Sequence, residues 1–392
     1  MATDIRDLRG NYIIALANKY GWTKGAELGV WYGKTFFKLL EELPGLRLIG
    51  VDNWDPNYPH FAHHKDQQAN RAEVYENAAK FGDRAIIREM DMTAAAATVP
   101  DGSLDFVFID GDHTCEGCKK DILAWSPKIK PDGWIIGHDY LWPGVNEAVK
   151  ELIMPVNCPI LATDETWARP VRIPQNATTV CCLKQGDKYG PEYVNKLFSM
   201  VLKNVHLMPY DFVCFTDNVA GIDPWIRTAP LPHRAPGWWG KMGLYRPSMD
   251  GIKTDRLLFL DLDVVIAGNL DELLALPGDF YLASDYPSST FPAADIRMRF
   301  GNTSVIGLRV GSQAEIWKQY EMEGKPQAEG DQEWINGHFL HKFTRIPDSI
   351  VKSYRLHGLD NMGTPPPDCK VVMFHGEPKP HQCAGWVKEY WQ

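Results

Sequence analysis

No stretch of the 392-residue chain approaches the roughly 18 consecutive apolar residues of a membrane span, which argues against a helical membrane protein. Positive charge is also short: 41 Lys and Arg face 50 Asp and Glu, for a net charge of −9. Neither half of the chain is basic, so binding of nucleic acid through phosphate contacts is disfavoured. The opening MATDIRDLRG lacks the basic-then-apolar pattern of a signal peptide. The eight cysteines are scattered rather than clustered, which reads as reduced thiols of a cytoplasmic protein and not as a disulfide framework. No internal repeat relates the two halves. The G-x-G-x-x-G dinucleotide fingerprint is absent as well.

What remains is an ordinary globular composition, 44% hydrophobic and 23% charged, in a chain long enough for two domains. The first half alternates strand and helix patterns. A helix over about Ile5–Tyr20 is followed by strands at Lys24–Leu28, Arg47–Val51, Ala85–Glu89, Leu104–Ile109 and Trp134–Gly137. Helices are expected at Lys34–Glu42 and Glu116–Trp125, and Pro131-Asp132-Gly133 reads as a turn before the last strand. Continuous apolar strands in this rhythm predict a parallel sheet covered on both faces. Met154–Asn176 holds four prolines and reads mainly as a domain edge and linker, with a strand passing through Thr166–Val171. A second α/β unit then opens at Thr179–Leu183, with later strands at Phe212–Phe215, Arg256–Leu260 and Phe280–Ala283. The predicted domains are 1–173 and 178–392.

Ligands of parallel sheets bind where strands end and helices begin. The first such loop is Glu27-Leu28-Gly29-Val30-Trp31-Tyr32-Gly33. Gly29 to Gly33-Lys34-Thr35 is one residue too short for a phosphate loop. Asp52, at the end of the second strand, is suited to accept from ribose hydroxyls. His113 stands beside Cys115-Glu116-Gly117-Cys118. With no second cysteine pair, this is expected to be the small-residue start of a helix and not a metal cluster. Asp110 and Asp139 admit a plain role as helix caps.

The E-x-G-x-x-x-G loop, the acid after strand two, I-D-G-D-H-T and K-P-D-G-W-I-I-G-H-D-Y together resemble class I S-adenosylmethionine-dependent methyltransferases. The likeness runs over about residues 20–150 and is nearest the branch of sugar and macrolide O-methyltransferases and cephalosporin hydroxylase-like proteins. It implies a Rossmann-like fold in which Glu27, Gly29 and Gly33 hold the methionine end of the cofactor. Asp52 would hold its ribose, and Asp91 and Met92 its adenine. It further implies Mg²⁺ on Asp110 and on an acidic pair where this chain has His138-Asp139, with Asp112 as the base that deprotonates the acceptor. Such chemistry needs proton removal from a hydroxyl, which carboxylates and a divalent cation promote.

The second half carries Leu257-Leu258-Phe259-Leu260-Asp261-Leu262-Asp263-Val264-Val265, an apolar strand that delivers two carboxylates to a sheet edge. Two neighbouring acids repel unless a cation neutralises them, and a divalent ion gripping a diphosphate does so. After a later apolar strand, His375-Gly376-Glu377-Pro378-Lys379-Pro380 adds a third ligand candidate and a phosphate-binding cation. Gly237-Trp238-Trp239-Gly240-Lys241 adds a further cation beside aromatic rings. This set, with Asp331-Gln332, resembles GT-A glycosyltransferases of family 8 over about residues 178–386. H-G-E-P-K-P matches that family's H-x-G-x-x-K-P tail after a one-residue contraction, and Asn302-Thr303-Ser304 stands where it often has N-S-G. The resemblance implies Mn²⁺ or Mg²⁺ on Asp261, Asp263 and His375. Lys379 would hold the diphosphate, Lys241 and Asn302 the donor, and Asp331 would orient hydroxyls. The segment Leu183–Tyr189 would cradle the base of a UDP-sugar donor. Transfer to a glycan would then proceed with retention.

The expectation is therefore a two-domain α/β chain, a Rossmann-like methyltransferase fold followed by a GT-A fold, that transfers sugar and methylates. Two alternatives stay open at this point: a glycosyltransferase with a non-catalytic methyltransferase-like module, and a nucleic-acid base modifier disfavoured by the acidic balance.

Overall fold

The computed structural model describes residues 6–56, 67–154, 159–162, 165–284, 300–324, 328 and 330–392. The chain divides into two compact units, Met1–Arg172 and Ile173–Gln392. Residue 5 and the stretches 57–66, 155–158 and 163–164 lie outside the described residues; the expected first helix and the linker run into them.

The first unit is built on one seven-stranded sheet. Its strands are β1 (Lys24–Leu28), β2 (Arg47–Asp52), β3 (Ala85–Glu89), β4 (Leu104–Ile109), β5 (Ile129–Gly137), β6 (Ile160–Leu161) and β7 (Trp167–Pro170), in the order β3-β2-β1-β4-β5-β7-β6. The first five are parallel, and β7 runs antiparallel to both β5 and β6. The order reverses direction beside β1, where the first connection goes to β2 and a later one to β4. That switch point is where open α/β sheets bind ligands. Every residue of β4 is buried, as its unbroken apolar run requires for a strand covered on both faces. Phe106 and Phe108 are fully enclosed, each worth about 1.5–3 kcal/mol of burial.

One expectation needs correction. Pro131-Asp132-Gly133 does not precede the fifth strand but lies inside it, at a break in the β4–β5 register between Leu104 and Phe106. The strand expected through Thr166–Val171 is present as Trp167–Pro170, paired with Trp134–Gly137, and its four residues are all buried. Two antiparallel pairings override the loop signal of the prolines there.

The second unit has a seven-stranded mixed sheet. Its strands are β8 (Thr178–Lys184), β9 (Tyr210–Thr216), β10 (Thr228–Pro230), β11 (Arg256–Leu260), β13 (Phe280–Ser284), β14 (Gly301–Arg309) and β15 (Thr344–Arg345). They lie in the order β10-β9-β8-β11-β14-β13-β15. The strands β10, β9, β8 and β11 are parallel; β14 runs antiparallel to β11 and to β13. A small sheet of β12 (Val265–Ile266), β16 (Val351–Ser353) and β17 (Val371–Met373) follows, with β17 in its middle. The buried core gathers Val213, Phe215, Leu257, Phe259, Ile306 and Ile335, among others.

Strand β14 was not expected from the sequence, and Asn302 lies within it. Asn302 is buried within a strand, and its Oδ1 accepts the N–H of Ser304 at 2.8 Å. The β13–β14 register jumps from Leu282–Ile306 to Ala283–Asn302, so Thr303–Val305 form an irregularity of the kind that re-aims backbone groups beside sites.

Candidate functional sites

In the first unit the loops after β1, β2, β4 and β5 surround a cavity of about 530 Å³, a size suited to a small-molecule ligand. It is lined by Gly29, Trp31, Asp52, Asp91, Met92, Asp110, Asp112, His113 and Asp139, among others. Glu27 lies just behind it, 2% exposed, with Oε2 buried and without a hydrogen-bond partner. Burial, with Asp110 and Asp52 nearby, pushes its carboxyl well above the ordinary range; Arg9 opposes this. A donor such as the ammonium of an amino acid would satisfy that orphaned oxygen. Gly29 has φ +87°, and a Cβ there would fall 2.2 Å from the backbone oxygen of Asp110, so only glycine lets the two loops close on each other. Gly33 has φ +83° and precedes the helix Lys34–Glu42.

Both oxygens of Asp52 accept backbone N–H groups at 2.8 Å, from Trp31 and Trp54. Each oxygen keeps a second lone pair for a hydroxyl. Burial raises its pKa, against the pull of those N–H donors. Trp31 (φ 53°), Trp54 (φ 43°) and Asp139 (φ 55°) all hold left-handed backbone conformations, and all three line this cavity. Strain of this kind, gathered at one strand edge, persists where the surroundings over-determine it.

Asp91 caps the short helix Met92–Ala95 through Oδ1, which accepts from Ala94 at 2.8 Å, while facing the same cavity. Neither Asp110 nor Asp139 caps a helix. The cap before Cys115–Trp125 is Thr114, and no side chain caps Pro143–Leu152. Asp112 accepts the N–H of Thr114 at 2.8 Å.

Asp110, His113 and Asp139 each bring a ligand atom within 4.8 Å of the others. His113 Nε2 is 2.7 Å from Asp139 Oδ2. His138 Nδ1 is 3.2 Å from Asp139 Oδ1 and 3.8 Å from Asp110 Oδ1. Arg9 donates to Asp110 Oδ2 at 2.6 Å. Burial disfavours charge on both imidazoles, but the carboxylates of Asp139 and Asp110 beside them outweigh it and hold their pKa values above that of ordinary histidine. Asp139 is driven far below the usual carboxylate range: burial opposes this, and the two histidines prevail. Arg9 was missed in the sequence, and His113 was weighed there only beside the two cysteines. The D-G-D-H run contained the signal for His113; nothing local marks Arg9. Cys115 and Cys118 do start a helix as expected, with Cys118 buried and its thiol pushed up to about 12 by burial.

In the second unit Asp261 and Asp263 follow β11, and each is matched by a lysine. Lys241 Nζ lies 2.9 Å from both oxygens of Asp261 and 3.2 Å from the carbonyl of Thr303. Lys379 Nζ and the Tyr189 hydroxyl donate to Asp263 Oδ2 at 2.6 and 2.7 Å. Lys241 is only 7% exposed; burial works against its charge, yet Asp261 and Asp331 hold its pKa above the usual lysine value. Asp331 is buried with Oδ2 unpartnered, and burial lifts its carboxyl to about 6 although Lys241 pulls it down. His375 Nε2 is likewise buried and unpartnered. Burial depresses its pKa despite the influence of Asp263 and Asp261, which favours the neutral imidazole. Two carboxylates and an orphaned neutral imidazole suit a divalent cation. Their atoms do not form one tight cluster here; among the described residues the lysines stand at the carboxylates instead.

The expected base-cradling segment Leu183–Tyr189 is split between two tasks. Tyr189 serves Asp263, whereas Gln185 lines a cavity of about 590 Å³ with Thr216, Asp217, Thr228, Leu231 and Arg234. Asp217 accepts the N–H of Gly186. This cavity lies at the ends of β8, β9 and β10 and does not include Asp261 or Asp263. Thr216, Asp217 and Arg234 carry no recognisable motif in the sequence.

The strand orders define a Rossmann-like α/β fold in the first unit and a second, mixed α/β fold in the other. A family model described as a methyltransferase domain matches residues 26–140. Among solved structures, the methyltransferase PaMTH1 of Podospora anserina, bound to S-adenosylhomocysteine, is similar at 15% identity. That match covers 41% of this chain and 76% of that one, with a TM-score of 0.32. The galactosyltransferase LgtC, solved with donor and acceptor sugar analogues, is similar at 16% identity over 54% of this chain and 93% of its own, with a TM-score of 0.40. No curated protein matches the sequence. No described helix is long and apolar enough to cross a membrane.

Proposed function

We propose that the chain is a two-activity transferase, a metal-dependent glycosyltransferase fused to an S-adenosylmethionine-dependent O-methyltransferase that acts on sugars. The observation that carries the first activity is the meeting of Asp261, Asp263, Lys241, Lys379 and Asp331 at one sheet edge, beside a buried, orphaned His375. Asp261, Asp263 and His375 would hold Mn²⁺ or Mg²⁺, which neutralises a diphosphate leaving group when bound. Lys379 and Lys241 would exchange their carboxylate partners for phosphate oxygens of a UDP-sugar. Gln185 and Asp217 would receive the base in the neighbouring cavity, as hydrogen-bonding groups at strand ends do. Asp331 would orient a hydroxyl of donor or acceptor, and Asn302 would hold the bulged backbone against the donor. Preorganised charge of this kind is the main source of rate in such transfers. We carry retention of configuration, and a glycan as acceptor, from the family resemblance.

In the first unit Glu27, Gly29, Gly33, Asp52, Asp91 and Met92 would hold S-adenosylmethionine, the source of the methyl group. Asp110 and Asp139 would hold a divalent cation, and Asp112 would take the proton of the acceptor hydroxyl. The described cysteines are all free of disulfides, which suits the reducing cytoplasm.

The test uses the full-length protein. Mn²⁺-dependent release of UDP from UDP-sugars is expected, and Asp263→Asn should abolish it; unchanged release would remove the D-x-D assignment. S-adenosylhomocysteine should bind with micromolar affinity, about −8 kcal/mol by calorimetry. Asp52→Ala should eliminate that heat.

A further inference from the structure

We propose that the centre formed by Asp110, His113, His138 and Asp139 takes a first-row transition ion, such as Mn²⁺, Fe²⁺ or Co²⁺, in preference to Mg²⁺. The proposal rests on reading the first unit as a cation-assisted methyltransferase. It goes beyond that reading by naming His113 as a ligand and by changing the class of metal.

Three observations carry it. The first is the donor set. Where the resemblance implies an acidic pair after the fifth strand, this chain presents an imidazole and a carboxylate, and His113 from the neighbouring loop adds a second imidazole. Mg²⁺ prefers oxygen ligands and dehydrates reluctantly, whereas imidazole suits iron, nickel and zinc, and affinity along the first row rises from Mn²⁺ through Fe²⁺ and Co²⁺. The second is convergence. Ligand atoms of Asp110, His113 and Asp139 already lie within 4.8 Å of one another. His138 Nδ1, buried and without a hydrogen-bond partner, faces oxygens of both carboxylates. The short contact between His113 Nε2 and Asp139 Oδ2 is bridged by a proton, which a metal ion would replace.

The third is the support behind the ligands. Ile109 and Gly137 are register partners on adjacent parallel strands, and the N–H of His138 donates to the carbonyl of Ile109 at 3.1 Å. Asp110 and His138 are therefore placed side by side by the sheet itself. Arg9 holds one oxygen of Asp110 and leaves the other directed toward His138, the arrangement by which outer partners orient a ligating carboxylate. The ring of Trp142 lies 5.1 Å from that of His113 and limits its rotation. Asp139 sits at φ +55°, a costly conformation that keeps its carboxylate between the two histidines. Helix capping, the plain alternative for these aspartates, is performed by Thr114 at the following helix.

The experiment uses the full-length chain carrying Asp261→Asn and Asp263→Asn, so that the D-x-D set does not contribute. Co²⁺ is titrated by visible absorption and then challenged with Mg²⁺, while S-adenosylhomocysteine binding is followed by calorimetry on the same preparation. One equivalent of Co²⁺ is expected, retained against about a 100-fold excess of Mg²⁺. His113→Gln and His138→Gln should each weaken Co²⁺ binding at least about tenfold while S-adenosylhomocysteine binding persists, which also shows that the variants fold. Electron spin-echo modulation from imidazole nitrogen on bound Mn²⁺ gives the same answer with both histidines in place. Failure to take up Co²⁺, displacement by equimolar Mg²⁺, or Mn²⁺ with no nitrogen modulation overturns the proposal. Co²⁺ uptake without any S-adenosylhomocysteine heat upholds the metal centre and overturns the methyltransferase reading instead.

Discussion

The two sites face the same electrostatic problem, carboxylates crowded at the end of buried parallel strands, and meet it with different cations. In the first unit Asp110 and Asp139 are matched by His113, His138 and one arginine. In the second, Asp261 and Asp263 are matched by Lys241 and Lys379. The difference has chemical consequences. An imidazole that gives up its proton becomes a metal ligand, so the first cluster can accept an ion without losing its members. An ammonium has donors only, so the lysines of the second must leave the carboxylates when a metal enters, and phosphate is the partner that receives them. On the proposed function, one set would hold a cation and the other would exchange one.

Asp263→Asn gives the sharpest separation of the two sites. It replaces a proposed metal ligand, the carboxylate that accepts from Lys379 and Tyr189, with a neutral amide, and UDP release should fall by at least about 100-fold. Binding of S-adenosylhomocysteine to the same variant should not change, since Asp263 belongs to the second unit and the proposed cofactor residues belong to the first. Loss of both would mean that the substitution unfolds the chain, which circular dichroism would register.

Lys379→Ala tests the exchange itself and should have a smaller, two-signed effect. Without its ammonium, Asp263 loses its competitor for the metal, so Mn²⁺ alone should bind more tightly than to the wild type. UDP in the presence of Mn²⁺ should bind about tenfold more weakly, the scale of one hydrogen bond to a charged group. Calorimetry of Mn²⁺ with and without UDP measures both. If Mn²⁺ alone binds equally to wild type and variant, the lysine is a bystander and the contrast between the sites collapses.

Much of this organisation was legible where the information is local. Leu104–Ile109 and Arg256–Leu260 are unbroken apolar runs that can only be buried strands, and each is followed by the acids that matter. What escaped was created by distance. Arg9 meets Asp110 across 101 residues, and Lys379 meets Asp263 across 116, so the pairing belongs to the sheet and not to either segment. The second pair was recoverable only because both partners sit in recognisable motifs. Strand β14 escaped because its polar stretch Asn302-Thr303-Ser304 breaks the apolar pattern at the point where the ladder bulges. His113 was discounted through its proximity to Cys115 and Cys118, while its partner Asp139 lies on the next strand end.

The smallest expected effect lies in the pH dependence of sugar transfer. Asp331 is fully buried, and desolvation lifts its carboxyl to about 6, with Asp261 and Glu333 adding to the rise and Lys241 opposing it. If it orients a hydroxyl it must be ionised, so kcat/KM should fall as the pH drops through about 6 and level off above that value. Burial depresses the pKa of His375, which moves its own titration below that of an ordinary histidine. Asp331→Asn should lower the plateau and remove the acid limb together. A variant that keeps the limb would transfer the titration to another group and leave Asp331 a buried structural acid. The first unit supplies the contrast, because the histidines that share Asp139 are raised by it and should be unaffected by any change at Asp331. Binding of S-adenosylhomocysteine followed over the same pH range should therefore be superimposable for wild type and variant.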